Sequence, residues 1–369
     1  VTSGVRAVLA GGGTAGHVEP ALATADALRR ADPDAQIVLL GTENGLEQRL
    51  VPARGYRLAT IPRVPMPRRP SLDLVRLPGR LLGAVRAAGQ VMDELQANVV
   101  VGFGGFVATP AYLAARRRGI PIVVHEANTR PGLANRLGVR WAARVATGFP
   151  DTPLPRAELI GLPLRRSLTT LDRTRDRAQA RLALGLEPDR PTVLVFGGSQ
   201  GATSLNRTVP AVAARIADAG GQTLLASGRG RADEAWSAAP SDIARDELAL
   251  TVVDYLDRMD LAYTAADVAV VRSGAMTVAE MTALGLPAIY VPLPIGNGEQ
   301  AINAAPVVAA GGGAMIRDEE LTADTLADLV LPLLTNSQTR ARMGSAAAKF
   351  GRRDADDALA AMAREVIDG

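Results

Sequence analysis

The residues of this chain whose types and spacing can do chemistry are glycine turns, two histidines and a few acids, each set at the end of an apolar run. The densest case is VAVVRSGAMTVAEMTALGLPAIYVPLPIGNGEQAIN, from Val268 to Asn303. A β-branched strand passes through Arg272-Ser273-Gly274-Ala275 into a helix opening near Met276, with Glu280 about one turn in. A helix N-terminus presents unpaired N–H groups and roughly half a positive charge, so a phosphate or hydroxyl can sit there. Two readings of Glu280 stand side by side: a ligand to such a group, or the acid of a capping box with Thr277. Three further turns repeat the pattern: Gly11-Gly12-Gly13-Thr14-Ala15-Gly16-His17, Gly102-Phe103-Gly104-Gly105-Phe106 and Gly197-Gly198-Ser199-Gln200-Gly201-Ala202. The first matches G-x-G-x-x-G but is a weak dinucleotide fingerprint. Its second strand runs into Gly41-Thr42, without the acid that holds a ribose, and Glu43 comes a little late. It is read as an anion-binding turn, with a purely conformational glycine turn as the alternative. His125-Glu126-Ala127-Asn128 closes another strand; His125 is taken as a packing histidine before a catalytic one.

These positions require parallel strands to deliver them. Strands are expected at residues 5–9, 36–40, 98–101, 122–124, 192–196, 222–226, 248–252, 268–271, 288–291 and 314–316, alternating with helices. The first helix is expected from Pro20 to Arg30. The proline-rich stretch from Phe149 to Pro163 is expected to break regular structure and separate two domains. After it the order of strand, glycine turn and helix begins again. The expectation is an α/β protein of two doubly wound parallel-sheet domains facing a central cleft, ending in three helices.

A chain of 369 residues, 47% of them hydrophobic, supplies two cores. With no cysteine and two histidines, a metal centre is not expected; Asp354-Ala355-Asp356 is read as a solvated helix face. The balance of 41 basic to 38 acidic residues, net +3, implies no nucleic-acid partner. No stretch approaches a spanning length of apolar residues and the N-terminus lacks signal-peptide order, so a soluble or peripheral protein is expected. From Ile61 to Arg86, leucines and valines alternate with arginines, which suits either a core-covering helix or one lying on an anionic membrane. Repeated anion-binding turns without a ribose acid on the first sheet fit transfer from a nucleotide-activated donor better than hydride transfer. There the leaving diphosphate is stabilised by helix N-termini and arginine, and a base takes the acceptor proton.

The motifs GGGTAGHVEP, GFGGFV, HEAN, GGSQGA, RSGAMTVAE and GNGEQAINA together resemble the MurG family of peptidoglycan N-acetylglucosaminyltransferases over essentially the whole chain. The resemblance implies a GT-B fold of two Rossmann-like domains. It implies inverting, metal-independent transfer of GlcNAc from UDP-GlcNAc to the muramoyl C4 hydroxyl of lipid I, giving lipid II, with no cofactor. Residues 1–163, joined by the last helix at 352–369, would take the acceptor and the membrane; residues 164–351 would take the donor. On the donor side Glu280 would hold the ribose hydroxyls, Ser199 a phosphate, and the Leu256 backbone the uracil edge. Ala275 and Asn128 would meet the sugar hydroxyls, with Gln300 and Asn303 lining the pocket and Arg165 neutralising diphosphate charge. Thr14, Ala15 and Gly16 would also face the donor, while Gly13, Thr14, Gly16, His17, Gly104, Gly105 and Phe106 would cradle the acceptor diphosphate. His17 and Glu126 are the two candidates for the base.

A polyprenyl acceptor implies contact with the cytoplasmic face of the plasma membrane, through Leu72 to Val85 and its arginines Arg68, Arg69, Arg76 and Arg80, and possible cell-wall synthesis proteins as partners. The chain departs from the family pattern at Ala15, Phe106, Ala127, Leu162 and Glu299, where glycine, tyrosine, glutamine, asparagine and glutamine are common. Two other readings remain: a related transferase with another acceptor, and a UDP-sugar-binding protein without turnover.

Overall fold

The computed structural model describes residues 4–64, 72–198, 200–295 and 298–368, and only the backbone of residues 72–76. Ser199, Arg68, Arg69 and the side chains of Leu72 and Arg76 therefore lie outside the described residues. The chain divides into two compact units, Val1–Arg166 with Arg352–Gly369, and Ser167–Gly351.

The first unit is built on β1 (Arg6–Gly11), β2 (Gln36–Gly41), β3 (Arg57–Thr60), β4 (Val99–Gly104), β5 (Ile122–Glu126), β6 (Arg144–Thr147) and β7 (Ala157–Leu159). Their order is β3-β2-β1-β4-β5-β6-β7, and every pairing is parallel. Both faces of such a sheet must be covered, which is why its central strands read as unbroken apolar runs. Side chains alternate between the faces. Val8, Leu40 and Val100 face a core shared with helices Leu72–Leu95 and Ala108–Arg118, while Leu9, Leu39 and Val101 face one shared with helices Ala15–Ala31 and Ala355–Asp368.

Three expectations are corrected here. The stretch from Phe149 to Pro163 is not devoid of regular structure, because β7 lies within it and pairs with β6. Asp356 is not on a solvated face: it is buried and 2.6 Å from the Arg30 guanidinium, which also reaches Asp357 at 2.7 Å. That pairing, with Leu359, Ala360 and Ala363 in the core, seats the last helix on helix Ala15–Ala31. The third concerns the basic apolar segment. Val85 is buried, and Leu77 and Leu81 pack against the core, because the helix must cover its sheet; Leu82 is 39% exposed beside exposed Arg80 and Arg86. Among the described residues no helix is long and apolar enough to cross a membrane.

The second unit repeats the plan with β8 (Thr192–Phe196), β9 (Gln222–Ala226), β10 (Leu250–Val253), β11 (Val268–Val271), β12 (Ala288–Tyr290) and β13 (Gly313–Met315). The order is β10-β9-β8-β11-β12-β13, again all parallel. Each sheet reverses direction between its first strand and the strand that follows its third crossover, β1 and β4 in one, β8 and β11 in the other. Open α/β sheets bind ligands beyond the carboxyl ends of strands at such switch points.

Candidate active site

At the first switch point β1 ends in Gly11, and Gly13 (φ +91°) turns the chain into helix Ala15–Ala31. This helix starts earlier than expected, at Ala15 rather than Pro20. Pro20 sits inside it and forgoes one bond, to the Gly16 carbonyl. His17 is therefore in the first turn, half-buried, with Nδ1 3.1 Å from Thr14 Oγ1. Beyond β4, Gly104 (φ +95°) and Gly105 (φ +76°) take left-handed conformations and come close to the first turn. A Cβ on Gly104 would lie 3.2 Å from His17 Nε2, and one on Gly105 would press on the Gly12 carbonyl. The fold thus brings both N-terminal glycine turns and His17 together. Helix geometry leaves the Ala15 and Gly16 amides outside intrahelical bonding, so an anion has donors there. Phe106 is exposed nearby, with the Arg63 guanidinium 4.7 Å above its ring.

Glu126 is 3% exposed at the end of β5. Its carboxylate accepts from the amides of Asn128 and Gly132 and from Asn135 Nδ2, each at 2.9 Å. Burial raises its pKa, and these hydrogen bonds oppose the rise without cancelling it. Both of its oxygens are engaged in holding the loop that carries half-buried Asn128, whereas the other candidate base, His17, is half-buried on the first turn. His125 is fully buried; its Nε2 donates to the Gly161 carbonyl at 2.9 Å, its ring lies 5.9 Å from Phe103, and burial pushes its pKa down to about 4. Arg165 gives one guanidinium edge, Nε and Nη2, to the two oxygens of Glu19 at 2.9 Å each, so the charge expected to face a diphosphate is matched by a carboxylate on helix Ala15–Ala31.

The sequence reasoning overlooked Glu47. Fully buried at the start of helix Glu47–Ala53, it accepts from the Gly13 amide at 3.0 Å and from the Thr42 amide and hydroxyl at 2.7 and 3.0 Å. Burial disfavours its charge, but those hydrogen bonds outweigh the penalty and hold the carboxyl below its usual range. The nearby acid at the end of β2 is this residue and not Glu43, which is exposed.

In the second unit, β11 passes through Arg272 and Ser273 into helix Ala275–Leu284, and Gly274 in extended conformation is its N-cap. The capping-box reading of Glu280 is overturned: Thr277 lies inside the helix, and no side chain caps it. The half-buried Glu280 carboxylate instead accepts from Tyr263 Oη at 2.6 Å. The Tyr263 ring is buried 6.0 Å from Phe196, the last residue of β8, which feeds Gly197 and Gly198. Arg272 is buried and donates to the Val291 and Pro292 carbonyls at 3.1 Å and to Ser204 Oγ at 3.0 Å, while pairing with Asp318. Ser273 Oγ is buried at the mouth of the helix, with no hydrogen-bond partner among the described residues. Helix Glu299–Ala309 packs against helix Ala275–Leu284 and carries half-buried Gln300 and buried Asn303; Gln300 Oε1 accepts from the Leu293 amide at 3.0 Å. Leu256 follows β10, half-buried. Within this unit Ala275 and Glu280 lie on one helix and Gln300 and Asn303 on the helix packed against it, while Asn128, Arg165 and the Thr14 to Gly16 turn belong to the first unit.

Residues 7–147 match the glycosyltransferase family 28 N-terminal domain and residues 192–359 its C-terminal domain. The chain belongs to glycosyltransferase family 28 and has a GT-B fold. It is 56% identical over 98% of its length, and 98% of the relative's, to the UDP-N-acetylglucosamine--N-acetylmuramyl-(pentapeptide) pyrophosphoryl-undecaprenol N-acetylglucosamine transferase of Streptomyces coelicolor. The Streptomyces avermitilis protein of the same name is also 56% identical, over 98% of this chain and 99% of its own. Among solved structures, Acinetobacter baumannii MurG superimposes with a TM-score of 0.78 at 28% identity, covering 97% of this chain and 99% of that one.

Proposed function

We propose that the chain transfers N-acetylglucosamine from UDP-N-acetylglucosamine to the C4 hydroxyl of the muramoyl sugar of lipid I, with inversion and without a metal ion, forming lipid II. The observation that carries this is the Tyr263-buttressed Glu280 carboxylate on helix Ala275–Leu284, at the second switch point, in a chain 56% identical to a transferase so named. The acid takes the two ribose hydroxyls. The Ala275 amide and the helix N-terminus face developing negative charge as the diphosphate leaves, where fixed donors act without reorganising. In the first unit, the turns at Gly13 and Gly104 cradle the acceptor diphosphate and His17 takes the acceptor proton. The acceptor is met at the cytoplasmic leaflet through exposed Leu82, Arg80 and Arg86, a smaller surface than the whole segment from Leu72 to Val85.

The test is UDP release with lipid I in anionic vesicles, with and without EDTA. Release that requires lipid I and survives EDTA is expected, with His17→Ala reducing turnover by ~10²- to 10⁴-fold and charge reversal of Arg80 and Arg86 weakening vesicle binding. UDP-GlcNAc binding without acceptor-dependent release would reduce the protein to a sugar-nucleotide binder.

A further inference from the structure

The Glu47 carboxylate lies beneath the first glycine turn in a space cleared by three glycines, Gly41 and Gly45 just before it and Gly12 from the first turn. A Cβ on Gly12 would lie 3.0 Å from Oε1, one on Gly41 would overlap the Glu47 Cγ, and one on Gly45 would overlap the carboxylate itself. The three groups that converge on it, the Gly13 amide and the Thr42 amide and hydroxyl, are all donors. Only an acceptor-only group satisfies all three. Glutamine would turn an NH2 toward one of them, and among the described residues no cation accompanies the charge. A buried carboxylate without a cation is costly, and its return here is geometry, since it ties the turn after β1 to the turn after β2.

We propose that Glu47 is a positioning residue for the acceptor side of the reaction: by fixing Gly13 it sets the turn at Thr14 and thereby the His17 ring. The path is short. Gly13 is bonded to Glu47; the Thr14 carbonyl accepts from the His17 and Val18 amides at 3.1 Å; and Thr14 Oγ1 contacts His17 Nδ1. His17 is then pressed against Gly104 of the second turn. Glu47 itself is fully buried and touches no substrate.

The inference rests on the reading of His17 and the first turn as the acceptor site. The experiment uses the full-length chain carrying Glu47→Gln, with lipid I varied at saturating UDP-GlcNAc and affinity for UDP measured separately. Displacing a reacting group by about an ångström costs on the order of 100-fold, so kcat/KM for lipid I should fall about 10- to 100-fold. Affinity for UDP alone should stay within about twofold, since Glu280, read as its ribose ligand, belongs to the other unit. Gly45→Ala, which pushes on the carboxylate while keeping it, should reproduce the same one-sided loss and decides the matter if Glu47→Gln does not fold. Unchanged acceptor kinetics in the folded variant, or equal losses for lipid I and for UDP in step with a lowered Tm, would overturn the proposal. Absence of lipid I-dependent turnover in the unaltered protein would instead overturn the reading it rests on.

Discussion

The two switch points are built on the same topology and held by opposite charges. In the first unit a buried carboxylate, Glu47, lies under the glycine turn and takes up donors, including the Gly13 amide. In the second a buried guanidinium, Arg272, sits at the turn after β11 and takes up acceptors, the carbonyls of Val291 and Pro292. The consequences differ. An acceptor-type prop removes one N–H from those that could hold an anion, and places negative charge behind the rest. A donor-type prop takes up carbonyls, with its charge balanced by Asp318, and leaves the amides at Gly274 and Ala275 to a ligand. Of the two, the second turn keeps its first amides for a ligand, while the first commits one, the Gly13 amide, to fixing the turn that carries His17.

The largest effect should come from removing the second prop. Arg272→Met leaves two carbonyls without their donor and Asp318 with Ser204 Oγ in place of a cation, and breaking a buried pair by deleting one partner costs about 3–5 kcal/mol. Urea unfolding should show that loss in the transition of the second unit. A loss below about 1 kcal/mol would mean that Arg272 behaves as a surface pair, and the comparison would fail on that side.

The central strands were readable from the sequence because each carries a short apolar, largely β-branched run bounded by turn residues. Three of them, residues 192–196, 222–226 and 268–271, have the expected bounds. The strands Arg57–Thr60, Arg144–Thr147 and Ala157–Leu159 went unread: they are short, begin at or carry charged or small residues, and lie toward the sheet edges where burial is incomplete. The glycine turns were legible as tight turns at strand ends, where so many small residues stand together. Their supports were not. Glu47 sits in the polar stretch GTENGLE, and its meaning depends on Gly12, far away in the chain. Glu280 resembled a cap because Thr277 stands three residues before it; the true N-cap, Gly274, carries no side chain to announce itself. Periodicity likewise could not say that the last helix buries Asp356, because Arg30 supplies the reason from 326 residues earlier.

A smaller effect separates the units by pH. His125 is buried and neutral, its pKa lowered from 6.5 to about 4. Between those values the unfolded chain binds the proton and the folded one does not, so stability rises with pH across this window. It should fall as pH drops from 6.5 to 4, by about 1.4 kcal/mol per unit and on the order of 3 kcal/mol in all. Glu126, with its raised pKa, contributes in the opposite sense: its share is present below pH 4.5 and lost as pH rises through the folded value. The difference between the parent and His125→Gln, which keeps a donor for the Gly161 carbonyl, isolates the histidine. Calorimetry of the two proteins from pH 7 to 4 should show the first unit losing stability faster in the parent. Parallel curves would remove the buried histidine from the account.

The smallest effects sharpen the donor side. Glu280→Gln should weaken UDP-GlcNAc binding by about 1.5–3 kcal/mol if the acid accepts from both ribose hydroxyls. Tyr263→Phe keeps that acid but removes the hydroxyl that orients it, so the loss should be about 0.5–1.5 kcal/mol. The two should not add. With Glu280 already changed to glutamine, the Tyr263 hydroxyl has little left to orient, and the double variant should bind about as weakly as Glu280→Gln alone. Titration calorimetry of the four proteins settles the coupling. Full additivity would mean that Tyr263 merely packs against Phe196, and that the ribose acid is placed by its helix alone.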